Sequence, residues 1–101
     1  MEPAEVSRVL TARLTGAQLE TLWSDLRHGA TGLRVLAQPR AGTRSRAVGL
    51  DDARAAVEAG ERVQIRYRVD GRAWSDTLFP EDDSVRLVRC PLPEEGEADA
   101  R

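Results

Sequence analysis

The stretch ERVQIRYRVDGRAWSDTLF, residues 61–79, constrains the fold more than any other. Asp70-Gly71 divides two alternating runs, and both central residues of a tight type I′ turn need φ > 0, which Asp and Gly tolerate. A two-residue turn there sets Val69 opposite Arg72, Tyr67 opposite Trp74, Ile65 opposite Asp76 and Val63 opposite Leu78. A second turn over residues 80–83 leads to a third strand at 85–90. Pairing Phe79 with Ser84 would set Leu78 opposite Val85, Asp76 opposite Leu87 and Trp74 opposite Arg89. Because side chains alternate along a strand, two faces separate. Val63, Ile65, Tyr67, Trp74, Leu78, Val85 and Leu87 form the apolar face. Arg62, Gln64, Arg66, Arg68, Ser75, Thr77 and Arg86 form the polar one. Asp76 falls on the apolar face, where a carboxylate needs a partner. Arg89 lies within reach, with Trp74 placed to stack on its guanidinium, and Arg72 is another same-face candidate farther along its own strand.

The chain before the hairpin reads as mostly helical. In 3–13, Pro3 suits a first helical position and Val6, Val9 and Leu10 form a stripe, although Val6, Arg8, Leu10 and Ala12 also alternate. In 15–28, Thr15 and Gln18 form a capping box, and Leu19, Leu22, Trp23 and Leu26 define one face. Arg27 and His28 favour the helix C-terminus, and Gly29 ends it. In 29–43, Leu33, Val35 and Leu36 fit either a helical turn or a short strand, and residues 39–43 read as a turn. Residues 44–59 read as a further helix, in full or from Leu50 only, with Gly60 past its end. The expected fold is α+β: N-terminal helices packed on one face of a three-stranded antiparallel β-meander. It forms a single domain over 1–90, with 91–101 as an acidic disordered tail.

Little in the sequence supports catalysis. The one histidine, His28, sits where the helix dipole explains it, and the one cysteine, Cys90, excludes an internal disulfide and a cysteine-based zinc site. Glu81, Asp82 and Asp83 occupy a turn, where acids belong for conformational reasons. No phosphate-binding glycine loop of a known pattern occurs. The chain therefore reads as a non-enzyme without cofactor or metal. With no apolar run of membrane-spanning length and an acidic N-terminus, the expected location is the cytoplasm.

Charge supplies the positive signal. All fifteen basic residues are Arg, which binds carboxylate and phosphate in a planar, bidentate way. The net charge of −2 is unevenly spread: residues 91–101 carry −3, residues 6–90 carry +3, and residues 26–50 contain five Arg and no acid. The candidate binding residues are Arg34, Arg40, Arg44 and Arg46 from this window, with Arg62, Arg66, Arg68 and Arg86 from the hairpin region.

The order of helices followed by a hairpin resembles the layout of winged-helix DNA-binding domains. LTGAQLETLWSDL stands for an early core helix, TRSRAVGLDDARAAVEAG for the recognition helix and VQIRYRVDGRAW for the wing. That resemblance implies that Arg44 and Arg46 lie at the DNA-reading end of a helix. The glycines and proline of 29–43, the tight turn, and Asp51 and Asp52 depart from the layout.

Two functional readings result. The first is a small protein-interaction or accessory domain that uses the Arg-rich sheet face and the exposed edge of the 62–69 strand, with a protein partner or a second copy. The alternative is a nucleic-acid-binding regulatory protein that contacts phosphates through 34–46 and the hairpin, with the acidic tail screening that surface.

Overall fold

In the computed structural model, which describes residues 9–42 and 44–92, six strands form one antiparallel sheet and two helices cover one of its faces. In chain order these are β1 (Leu10–Leu14), α1 (Gly16–Gly29), β2 (Thr31–Gln38), β3 (Arg46–Val48), α2 (Leu50–Glu58), β4 (Arg62–Val69), β5 (Arg72–Pro80) and β6 (Val85–Pro91). The order across the sheet is β1-β6-β5-β4-β2-β3.

The hairpin of β4 and β5 forms around Asp70-Gly71, whose φ values are 53° and 79°. All four pairings anticipated for it are present, from Val69 with Arg72 to Val63 with Leu78. The β5–β6 pairing is displaced by two residues from the expectation. Leu78 meets Leu87, Asp76 meets Arg89 and Trp74 meets Pro91, while Glu81 N–H closes the turn on the Ser84 carbonyl at 2.8 Å. An even displacement keeps every side chain on its face. The displaced register sets Asp76 directly opposite the cation that neutralises it.

The three-stranded meander is overturned, because three segments before the hairpin are strands as well. β2 alternates throughout: Leu33, Val35 and Ala37 turn toward the helices, and Arg34, Leu36 and Gln38 turn away. Gly32, at φ 62°, takes up the register shift between Thr31 and Arg34 and lets the strand begin two residues after α1 ends. Residues 10–14, expected as the end of a helix, pair with β6 from Leu10–Arg89 to Leu14–Val85. Their spacing suits a helix stripe or a strand equally, and the open edge of β6 decides. The first part of that expected helix, 3–8, lies outside the described residues. Residues 46–48 form β3 on the far side of β2, so only the shorter version of the following helix exists, starting at Leu50 after Gly49.

Both helices end as their sequences dictate. In α1, Gln18 N–H donates to the Thr15 hydroxyl at 3.4 Å, and Thr15 N–H donates to Gln18 Oε1 at 2.9 Å. After α2, Glu61 N–H reaches the Ala56 carbonyl and Gly60 N–H the Val57 carbonyl, both at 2.9 Å. This is the Schellman pattern, and Gly60 at φ 88° accommodates it.

The core lies between helices and sheet. α1 contributes Leu22, Trp23 and Leu26, α2 contributes Ala53, Ala56 and Val57, and Val63, Ile65 and Leu78 of the central strands are fully buried beneath them. Ion pairs Arg54–Glu20 and Arg27–Asp51 join the helices at the surface, where each adds little. At the other end, β6 runs through Pro91 and Leu92 N–H donates to the Ala73 carbonyl at 2.9 Å. The remainder of the expected acidic tail, 93–101, lies outside the described residues, as does Thr43 of the expected 39–43 turn. Among the described residues, no helix is long and apolar enough to cross a membrane.

Candidate functional site

The sheet face away from the helices is open, and its rows can be read across all six strands. The central row is uncharged: Thr11, Val88, Thr77, Gln64, Leu36 and Ala47, each directly opposite the next. Arginines flank it on both sides. On one side Arg13 of β1 stands opposite Arg86 of β6. On the other, Arg34 of β2 stands opposite Arg66 of β4, with Ser75 and Cys90 continuing that row.

These two cross-strand Arg pairs differ in one respect. Like charges directly opposite each other repel. Glu81 relieves the first pair, lying 3.7 Å from Arg13 and 3.2 Å from Arg86, while the Arg86 guanidinium also stacks 4.5 Å from the Phe79 ring centroid. The Arg34–Arg66 pair has no acid beside it among the described residues, and both side chains are exposed. Arg62, also exposed and without an ion pair among those residues, lies farther along β4 beside Gln38. Two depressions lie at this end of the face, one on each side of the central row. One of about 490 Å³ is lined by Arg34, Leu36, Ala47, Gln64 and Arg66, among others. Another of about 340 Å³ touches Leu36, Arg62, Gln64, Thr77 and Phe79.

The eight arginines singled out from sequence thus separate. Arg34, Arg62, Arg66, Arg68 and Arg86 share the open face, although Arg68 is half-buried and donates to the Gly71 carbonyl at 2.9 Å. Arg40 follows β2 in the turn, beside Arg62 and Phe79 at the rim. Arg44 is exposed in the loop before β3. Arg46 points to the helix side and bonds Glu61 at 2.8 Å, a hydrogen bond that raises its pKa further. No recognition helix begins at Arg44 and Arg46, since β3 occupies that segment and α2 packs on the sheet. The winged-helix arrangement therefore does not describe this chain. Nor is the 62–69 strand an edge: β4 lies between β5 and β2, and the outer strands are β1 and the three-residue β3. Arg13, Thr11, Leu36 and Ala47 join the face only through strands that the sequence left ambiguous or suggested as helix, while Val88 lies on the expected third strand.

On the opposite side of β5, Asp76 is fully buried and fully bonded. Arg89 Nε donates to Oδ1 and Nη2 to Oδ2, both at 2.8 Å, and the Tyr67 hydroxyl donates to Oδ1 at 3.0 Å. Trp74 stacks with Arg72, 5.9 Å from guanidinium carbon to ring centroid, rather than with Arg89, because the displaced register carries Arg89 opposite Asp76. The bond to Asp76 raises the Arg89 pKa, outweighing the opposing effect of burial. Burial, then the Asp76 charge, holds the Tyr67 phenol well above its ordinary value of 10.0. A raised folded-state pKa means stability that is intact below pH 10 and lost as pH rises beyond it, because the unfolded phenol ionises first. Tyr67 is the only tyrosine. An absorbance titration at the phenolate band should therefore show no ionisation near pH 10, and its ionisation should coincide with loss of circular dichroism signal. An ordinary titration in the folded protein would contradict the Tyr67–Asp76 bond.

This triad is a structural anchor that ties β4, β5 and β6 together. His28 Nδ1 lies 3.0 Å from the Ser24 carbonyl oxygen, in the last turn of α1. Among the described residues no three His, Cys, Asp or Glu side chains group as a metal site. Cys90 is a half-buried free thiol. The open face, with its Arg34–Arg66 pair that no acid among the described residues neutralises, is the candidate site. No protein-family model, curated protein or solved structure matches the chain.

Proposed function

We propose that this chain is a non-catalytic interaction domain that takes an acidic polypeptide partner on the open face of its sheet. The observation that carries the reading is the exposed Arg34–Arg66 pair, standing opposite each other without an acid among the described residues, while the Arg13–Arg86 pair has Glu81. An arriving carboxylate relieves repulsion that the domain otherwise tolerates, and Arg offers it a bidentate fork. The uncharged central row beside the pair supplies dry contact area of the kind found at interface centres.

A protein fits this face better than a nucleic acid. Single-stranded nucleic acids bind sheets by stacking bases on exposed aromatic rings. Phe79 is the one aromatic on this face among the described residues, and Arg86 covers it; Tyr67 and Trp74 belong to the helix side.

The test is fluorescence anisotropy with a labelled oligoglutamate peptide, duplex DNA, single-stranded DNA and RNA, at roughly 50 and 200 mM salt. The expected result is roughly micromolar peptide binding that weakens with salt and falls at least tenfold in the Arg34→Glu, Arg66→Glu double variant. Preferential binding of any nucleic acid, or peptide binding indifferent to the double variant, would overturn the proposal.

A further inference from the structure

The acidic partner carries an apolar side chain two residues from its acid, and we infer that the depression between β2, β3 and β4 reads this acid-x-apolar spacing in an extended segment. The inference rests on the acidic-partner reading and narrows it.

Three features of the depression support it. Its charged end is the Arg34–Arg66 pair, whose side chains start about 5 Å apart as directly opposed strand neighbours. That separation lets one carboxylate accept from both guanidinium groups. Its other end is apolar. Leu36 follows Arg34 on the same face of β2, Ala47 stands opposite Leu36 on β3, and Leu36 remains 39% exposed. Leu36 is one of few large apolar side chains so exposed among the described residues, and neither helix can cover it because both lie on the other face. Finally, the spacing is fixed by the strand itself. Arg34 and Leu36 are two residues apart, so the charged and apolar ends lie about 7 Å apart along β2. An extended peptide lying along β2 has the same repeat. It places a carboxylate over Arg34 and Arg66 and its next same-side residue over Leu36 and Ala47.

The side chains between these ends suit a backbone passing overhead. Gln64 stands opposite Leu36, is half-buried and donates weakly to the Ser75 hydroxyl at 3.4 Å. Its amide retains hydrogen-bonding capacity for a peptide group. The 490 Å³ volume accommodates a two-residue repeat.

The experiment uses the full chain and short labelled peptides of equal length and composition class, containing Glu-x-Leu, Glu-x-Ser, Gln-x-Leu or the adjacent pair Glu-Leu. Glu-x-Leu should bind about tenfold more tightly than Glu-x-Ser and than the adjacent pair, which is the effect of burying one Leu side chain. Gln-x-Leu should bind weakly. Leu36→Ser, a surface change that leaves the core intact, should abolish the preference for Glu-x-Leu over Glu-x-Ser. Equal affinity for Glu-x-Leu and Glu-x-Ser, or a Leu preference surviving in Leu36→Ser, would overturn the spacing inference and leave the acidic-partner reading standing. Failure of every Glu-containing peptide to bind would overturn both.

Discussion

Replacing Arg89 with Met should destabilise the domain by about 3–5 kcal/mol. Asp76 is fully buried, and Arg89 supplies two of its three hydrogen bonds and all of its charge compensation. Met fills similar volume but leaves a carboxylate in a low-dielectric interior with one phenol donor. For a domain of this size, the loss approaches the whole stability. Urea denaturation monitored by circular dichroism measures it. The matching double variant, Asp76→Leu with Arg89→Met, should recover most of the loss, since removing a buried pair together is far less damaging than orphaning one partner. A single-variant loss under about 1 kcal/mol would mean that water reaches Asp76 once the guanidinium is gone. The oligoglutamate binding proposed for the open face should survive in the double variant, because Asp76 and Arg89 lie on the helix side.

Replacing Trp23 with Ala should cost about 3–5 kcal/mol. Trp23 is 3% exposed and, with Leu22 and Leu26, seals α1 onto the sheet. Surface ion pairs add little, so removing the indole leaves a cavity that the short side chains Ala53 and Ala56 of α2 cannot fill. The same urea experiment reads the effect. Under conditions where the variant remains folded, its affinity for an oligoglutamate peptide should equal that of the unaltered chain. A large loss of binding at unchanged secondary structure would mean that α1 positions the Arg34–Arg66 pair, and would move the site's support to the helix layer.

Elements specified by local chemistry were legible in the sequence. Thr15 and Gln18 cap α1 through contacts three residues apart, and the apolar residues that follow repeat at helical spacing. Asp70 and Gly71 adopt the positive φ values that a two-residue turn demands, which dictates every pairing between β4 and β5. The need of Asp76 for a cation was legible too, since only Arg72 and Arg89 come near it on that face. Its direct pairing with Arg89 required the displaced β5–β6 register, where the four residues between Pro80 and Val85 permit more than one closure.

The strands β1, β2 and β3 were not legible for a different reason. Leu10 to Leu14 satisfies both a helix stripe and a strand alternation, and β3 is only three residues long, too short for periodicity to register. The Leu33, Val35, Ala37 alternation of β2 was present, but glycine and proline on either side obscured it. Such segments become strands because a neighbouring edge offers unpaired backbone groups, and that neighbour lies far away in the chain.

Taken alone, the sequence determined the two helix caps, the tight hairpin and the division of its side chains into an apolar and an arginine-bearing face, because each depends on residues within a few positions of one another. Tertiary structure decided which strands adjoin. Pairing β2 with β4 brings Arg34 opposite Arg66, thirty-two positions apart, and pairing β1 with β6 brings Arg13 to Arg86 and Glu81. Cross-strand hydrogen bonding carries no trace in local periodicity, so the contrast between a neutralised and an unneutralised arginine pair exists only in the folded sheet.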